Sequence, residues 1–248
     1  MKVIILAAGY ATRLYPLTLA KAKPLLPVAG KPMVDYVLDS LAPIGGIERV
    51  YIVTNTKFAE QFETWASDYR ETKRPFDFTI VNDGSTDDTN KLGAIGDLHL
   101  VLTREQVDDD IVVVAGDNLF SEPLTGFGKF CREKNAPVLA VYDVGDLGAI
   151  KKFNAITFDA AGKITFFEEK PRQPTSTVTG IALYYYPRAT LPMIRQYIEE
   201  GNNPDQPGRP VQWLYTRTPV YVWPVPGRWF DIGSKEALEE ANLIFAQL

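Results

Sequence analysis

Apolar positions in the first half of the chain come mostly as short unbroken runs. Val3-Ile4-Ile5-Leu6, Val50-Tyr51-Ile52-Val53-Thr54 and Ile111-Val112-Val113-Val114-Ala115 are rich in β-branched residues, the pattern of strands buried on both faces. Asp77 to Val81 reads as a further strand. Between these runs the spacing turns helical. Pro32 to Leu41 carries its proline at the start, and Ala59 to Tyr69 sets Phe62 and Trp65 on one face. Lys91 to Leu102 is expected to carry another helix, beginning near Gly93 and Gly96. Strands alternating with helices predict an α/β fold with a doubly wound, mainly parallel sheet and ligands at the carboxyl ends of its strands.

The texture changes after Asp117. Pro137 to Tyr142, Ala155 to Phe158, Ile164 to Phe167, Thr179 to Tyr186 and Val220 to Pro224 read as strands, with a turn at Ala161-Gly162. They suit a smaller mixed or antiparallel extension. Leu191 to Glu200 is a helix, 201–210 a loop, and Lys235 to Gln247 a closing helix. No internal repeat and no long linker appears, so residues 1–248 are expected to form a single domain.

Composition narrows the class without naming it. With 248 residues, 46% hydrophobic and 23% charged, the chain can bury one substantial core. A net charge of −5 argues against a general nucleic-acid or anionic-membrane surface, although a phosphate site can be locally basic. The single cysteine, Cys131 in the helix-like GKFCREK, excludes an intrachain disulfide and reads as a small buried filler. The lone histidine, His99 in DLHLVL, reads as structural. The N-terminal apolar run is too short for a signal peptide, and no segment approaches the ~20 apolar residues of a membrane span. The cytoplasm is therefore the expected location.

Chemistry concentrates first in Met1 to Pro24. The run Val3 to Leu6 breaks into Ala7-Ala8-Gly9-Tyr10-Ala11-Thr12, small residues that let a backbone approach a ligand, followed by Arg13, Lys21 and Lys23. Backbone N–H groups backed by cations suit a polyphosphate, while an ordinary βα turn would look much the same. Asp117 follows the strongest strand behind Gly116, where a carboxylate could hold a cation over phosphates or simply cap a turn. Asp231, in Trp229-Phe230-Asp231-Ile232-Gly233-Ser234, could do the same or cap the closing helix. Lys170 lies among acidic residues and could be merely solvated. Arg104, Arg172 and Arg209 belong to no motif and read as surface charges.

LAAGYATRLYPLT followed by KAKPLLPVAGKPM strongly resembles the signature of the sugar-1-phosphate nucleotidylyltransferases, L-A-(A/G)-G-x-G-T-R-L and then K-P-(L/M)-(L/V)-P-(V/I)-x-x-K-P-M. The likeness continues at intervals to the last helix, through Gly116-Asp117-Asn118 (G-D-N), Glu169-Lys170-Pro171 (E-K-P), Val178 to Ile181, and Trp229 to Ser234 (W-x-D-x-G-S). It implies the nucleotide-diphospho-sugar transferase fold, Rossmann-like, with residues 1–120 as the nucleotide-binding half and 121–248 as the sugar-phosphate half. It implies NTP and sugar-1-phosphate as substrates and Mg²⁺ as cofactor, without nucleic acid or membrane, and it leaves homo-oligomer formation open. By the same resemblance Leu6, Ala8, Gly9, Tyr10, Ala11, Thr12, Arg13, Lys23, Asn82, Asp83, Gly84 and Gly93 belong to the nucleotide site. Asn118, Glu169, Lys170 and Gly180 belong to the sugar-phosphate site. Asp117 and Asp231 hold the metal, and Arg13, Lys23 and Asp117 are the catalytic set. The expected pair is dTTP or UTP with glucose-1-phosphate; cytidylyl or guanylyl transfer to another phosphorylated acceptor is the alternative, and a non-catalytic nucleotide-sugar sensor is one of another class.

Four departures mark this chain. Ala11 replaces the usual second glycine, which strains the loop if the position takes φ > 0. Ala94, in Leu92-Gly93-Ala94-Ile95-Gly96, replaces the usual threonine of L-G-T-A-G. Phe153-Asn154-Ala155-Ile156 stands where Y-G-V is common, and no base-reading glutamine is evident. The loop Asn82-Asp83-Gly84-Ser85-Thr86-Asp87-Asp88-Thr89 is also similar to the D-D-G-S-x-D-x-T motif of inverting family-2 glycosyltransferases. Its position argues against that reading: their motif lies near the N-terminus, and Asp108-Asp109-Asp110 precedes its strand as a solvated turn. A dinucleotide-binding oxidoreductase is disfavoured too, because the first turn lacks G-x-G-x-x-G.

Overall fold

The computed structural model describes residues 1–72 and 76–247. In chain order the elements begin with β1 (Lys2–Leu6), the short helix α1 (Leu17–Ala20), the hairpin β2 (Pro27–Val28) with β3 (Lys31–Pro32), and α2 (Met33–Leu41). Then come β4 (Arg49–Thr54), α3 (Ala59–Thr72), β5 (Phe78–Asn82), α4 (Ala94–Arg104), β6 (Ile111–Ala115), β7 (Asn118–Phe120) and α5 (Thr125–Lys134). The rest are β8 (Val138–Asp143), α6 (Leu147–Ile150), β9 (Asn154–Phe158), β10 (Ile164–Glu169), β11 (Val178–Tyr186), α7 (Leu191–Glu199), α8 (Arg209–Leu214), β12 (Tyr221–Pro224), β13 (Trp229–Asp231) and α9 (Lys235–Phe245).

Seven strands form the central sheet in the order β12-β8-β11-β6-β1-β4-β5. Pairings around β1, β4, β5 and β6 are parallel, as are those of β8 with β12; β11 alone runs against its neighbours. The chain winds outward from β1 through β4 to β5, then returns to β6 on the other side of β1. Strand order therefore reverses between β1 and β6, where a crevice opens at the carboxyl ends of an α/β sheet. Leu6 pairs with Ala115 at that end, so the segments leaving both strands emerge side by side.

Alternation along the strands explains the two-sided burial. Val3, Ile5, Val50, Ile52, Val112 and Val114 face one core with Val37, Leu38, Phe62 and Phe127 from α2, α3 and α5. Ile4, Tyr51, Val53, Ile111 and Val113 face the other, with Leu98, Ile194 and Leu214 from α4, α7 and α8. A third cluster joins Leu14, Leu26, Val28, Met33 and Leu119 to Ile232, Leu238 and Phe245, and so holds α9 against the loop that follows β1.

The expected mixed extension is present in the second half, and part of it is continuous with the central sheet. β8, β11 and β12 belong to the central sheet, while β9 with β10 and β7 with β13 stand outside it as small antiparallel pairs, as β2 with β3 does earlier in the chain. The reason is burial: β11 is apolar on both faces, with Ile181, Leu183, Tyr184, Tyr185 and Tyr186 all enclosed, so it is most stable with a neighbour on each edge. The 201–210 segment ends in α8, whose first turn takes Pro210 at a position where the missing N–H costs nothing. Asp108, Asp109 and Asp110 are partnered, contrary to a merely solvated turn. Asp108 pairs with Arg188, Asp109 with the chain's amino group, and Asp110 accepts from Tyr185 Oη and Arg188 N. Among the described residues no helix is long and apolar enough to cross a membrane.

Candidate active site

The loop after β1 is shaped by buried polar contacts. Asn55, itself buried at the end of β4, donates from Nδ2 to Ala8 O at 2.8 Å, and Ala7 N donates to Val53 O. Gly9 is exposed, Ala8 and Tyr10 are buried, and Ala11 adopts φ 48, ψ 45. The position of the missing glycine is thus left-handed, and the alanine carries the strain there. Thr18 Oγ1 donates to Ala11 O at 2.8 Å, and Leu14 N donates to the same carbonyl, which ties the turn down. Leu6, Ala8, Gly9, Ala11, Lys23 and Asp117 line a cavity of about 210 Å³ in the β1/β6 crevice. Thr12 and Arg13 follow in a short 3₁₀ turn and are exposed.

Asp117 is no helix cap, because the chain beyond it continues as strand β7. Its Oδ2 accepts from Lys23 Nζ at 2.5 Å. Lys23 reaches it because Pro24 packs on Gly116: a Cβ there would lie 2.9 Å from Pro24 Cγ and 3.2 Å from Ile5 Cγ2. Asp231 arrives through the β7–β13 pair, opposite Asn118. The closing helix is capped by Ser234, whose Oγ accepts from Ala237 N, which leaves Asp231 free of that duty. A Cβ at Gly233 would meet both Asp231 Oδ2 and Arg13 Nη1, at 3.9 and 4.0 Å. The Asp231 carboxyl is held above the ordinary carboxylate range by enclosure in the cleft and by the charge of Asp117, against Lys23 and Arg13. The residue as a whole is exposed, so the group keeps access to solvent.

A cation bound beside Asp117 and Asp231 would relieve the repulsion that raises the Asp231 carboxyl. Their hard oxygens fit Mg²⁺, which takes one or two carboxylates and fills its remaining positions with phosphate oxygens and water. Among the described residues no group of three or more His, Cys, Asp or Glu side chains is placed to hold a metal ion.

A second cavity, of about 180 Å³, is lined by Asp117, Asn118, Asn154, Glu169, Gly180 and Asp231 among others. Asn118 Oδ1 accepts from Trp229 Nε1, so this buried amide orients the indole in the cavity wall. Gly180 is enclosed: an added Cβ would lie 2.5 Å from Leu139 Cδ2 and 2.9 Å from Ile156 Cδ1. Asn154, the departure from Y-G-V, accepts from Gly180 N at 2.6 Å and donates to Gly180 O at 3.1 Å. Glu169 Oε2 is buried and has no hydrogen-bond partner among the described residues, and it fills the space where a Gly208 side chain would lie. Burial pushes the Glu169 carboxyl up, against the cations Lys170 and Arg209.

Several groups here sit where no motif, or the lack of one, would put them. Arg209 is half-buried, donates to Gln206 Oε1 and faces Glu169, so it is more than a surface charge. Lys170 is exposed with φ 49 and lies outside the cavity lining, whereas Lys152, which no motif flags, lies within it. Pro207 and Gly208 also line it, from a loop with no recognisable pattern.

Asn82, Asp83 and Gly84 sit in a loop closed on itself. Asn82 Oδ1 accepts from Gly84 N and Thr56 Oγ1, and Asp83 accepts from Ser85 N and Oγ. Ser85 Oγ lies 3.4 Å from Tyr10 Oη, which joins this loop to the one after β1. Gly93 is buried beneath Pro204 and Asp205, with Ile95 N donating to Pro204 O. Behind it Asp97 is buried, and that burial and the neighbouring Asp83 charge push its carboxyl up to about 8. Cys131 is buried with its thiol pKa raised by burial, as a filler would be, and His99 is half-buried on α4. A larger groove of about 530 Å³ lies around Asp108 and Arg188, at the opposite end of β6 from Asp117.

Comparison with known proteins gives the family of the chain. Residues 2–247 match the nucleotidyl transferase family. A glucose-1-phosphate thymidylyltransferase from Mycolicibacterium smegmatis is 28% identical over 98% of this chain and 81% of its own length. A UTP–glucose-1-phosphate uridylyltransferase from Synechocystis is 29% identical over 94% of this chain and 60% of its own. A structure of UDP-glucose pyrophosphorylase with UDP-glucose superposes with a TM-score of 0.83 at 20% identity, over 99% and 98% of the two chains, and shows the same fold. The chain belongs to the nucleotidyl transferase family. It spans between 53% and 81% of the length of the curated relatives it matches.

Proposed function

We propose that this chain transfers a nucleoside monophosphate from a nucleoside triphosphate to a sugar-1-phosphate, with release of pyrophosphate. The observation that carries the reading is that Asp117 lines both cavities, so the phosphate loop and the sugar-type pocket meet at one carboxylate. In the proposed reaction an oxygen of the acceptor phosphate attacks the α-phosphorus in line. The bond from that phosphorus to the bridging oxygen breaks, and pyrophosphate leaves with the electron pair. No covalent bond to the protein is required, so the chain's contribution is positioning and charge stabilisation.

Backbone groups of Ala8 to Thr12 hold the triphosphate. Lys23 moves from Asp117 to the α-phosphate, and Arg13 neutralises the departing pyrophosphate. Lys152, in the cavity lining, and Lys170, whose backbone N–H donates to the carbonyl of the neighbouring Phe153, orient the acceptor phosphate, while Glu169 accepts from a sugar hydroxyl. Asp117 and Asp231 would hold Mg²⁺, which when bound supplies charge neutralisation at the reacting phosphates. Relatives carry names for thymidylyl, uridylyl and guanylyl transfer, so the base is left to experiment; dTTP or UTP with glucose-1-phosphate is the pair we favour. Solution in the cytoplasm suits such a reaction. The test is pyrophosphate release, with Mg²⁺, over a grid of nucleoside triphosphates and sugar-1-phosphates. One strong combination supports the reading and names both substrates. Turnover of a nucleotide-sugar with an acceptor, and none in the grid, would favour a glycosyltransferase.

A further inference from the structure

We infer that Gln61, on the far side of the loop from the reacting groups, is a positioning residue that sets the height of Lys23 over Asp117. The inference rests on the role proposed above for Lys23. Lys21 is extended (φ −136, ψ 136), so the Ala20 carbonyl and the Ala22 N–H point to the same side of the chain. Gln61 meets both at once: its Nε2 donates to Ala20 O at 2.8 Å, and its Oε1 accepts from Ala22 N at 3.1 Å. A primary carboxamide is the side chain that can present one donor and one acceptor to a peptide edge in this way. The buried Ala22 N–H depends on it most. Ala20 ends α1, where carbonyls lack helical partners, and Ala22 is buried, where an unpaired N–H is costly.

Lys23 follows immediately, and the turn that contains it is closed by Leu25 N donating to Ala22 O and Leu26 N to Lys23 O. Downstream, Pro24 rests on Gly116. The ammonium is therefore suspended between two anchors, one on α3 and one on the β6 end. The α3 anchor is rigid, because Phe58, Phe62 and Ala66 on either side of Gln61 are buried in the core. Gln61 itself is half-buried at the edge of an open groove of about 450 Å³, so an isosteric replacement removes the clamp without emptying the core.

The test is a cycle of Gln61→Met, Lys23→Ala and the double variant, with kcat and KM from pyrophosphate release and melting temperatures. A displaced Lys23 predicts that Gln61→Met lowers kcat by about 10- to 100-fold and leaves both KM values near wild type. In the Lys23→Ala background the same change should have no further effect on kcat. Hydrogen exchange reads the clamp without turnover: the Ala22 amide should exchange at least ~10-fold faster in Gln61→Met. A wild-type kcat for Gln61→Met, with Lys23→Ala slow, overturns this inference alone. So does an equal loss in both backgrounds, which would make Gln61 act elsewhere. A wild-type rate for Lys23→Ala removes the role of Lys23 and the inference with it.

Discussion

The two cavities that meet at Asp117 are built by different means. The side proposed for the nucleotide is mostly backbone: a few small residues leaving β1, held by Asn55 and by Thr18, with Lys23 added from the same stretch of chain. The side proposed for the acceptor is mostly side chains, brought chiefly from β7, β9, β10, β11, β13 and the loop before α8. A backbone cradle depends on local conformation and tolerates exchange among small residues. A pocket assembled from six segments depends on packing, so a single substitution there disturbs several neighbours.

The two cavities should respond differently to substitution. Asp117→Asn strikes both cavities and should reduce pyrophosphate release by about 10²- to 10³-fold while the melting temperature stays near wild type. Gly180→Ala strikes the acceptor side alone. Its Cβ has no room beside Leu139 and Ile156, so it should cost about 1–3 kcal/mol in denaturant unfolding and raise the acceptor KM, leaving nucleotide KM unchanged. Equal effects on both KM values would show that the pockets are not separable.

On the nucleotide side, Asp97→Asn tests the loop that carries Asp83. The Asp97 carboxyl stays protonated in the folded chain up to about 8, while the unfolded chain releases that proton near 4. The unfolded state then binds fewer protons, so stability declines from about pH 4 to about pH 8. The asparagine variant lacks this loss. Its advantage over the parent should grow across that window and reach at least about 1 kcal/mol at pH 8 by chemical unfolding. The smallest change is Ala11→Gly, which relieves the left-handed strain and should stabilise by about 1 kcal/mol in the same assay.

The same contrast decides what could be read from sequence. Strands β1, β4, β5 and β6 were legible because each is a short apolar run, and the β1/β6 crevice follows from their alternation with helices. Gly9, Lys23 and Asp117 were legible as contiguous motifs. β7 and β13 were not, since three residues around Asn118 and Trp229 show no period, yet their pairing is what brings Asp231 to Asp117. Lys152, Pro207, Gly208 and Arg209 left no signal because their place in the cavity comes from tertiary packing of otherwise ordinary loop residues. Placing β11 inside the main sheet required noticing that both of its faces are apolar, which its tyrosines disguise.

The central claim is that both substrates occupy their cavities together and that the phosphoryl centre passes directly between them at Asp117. The stereochemical course at the α-phosphorus tests this most directly, using a single diastereomer of an α-thio nucleoside triphosphate and the acceptor found in the substrate grid. One in-line displacement predicts inversion at phosphorus. Retention would mean two displacements through a covalent intermediate on the protein, and would contradict the account.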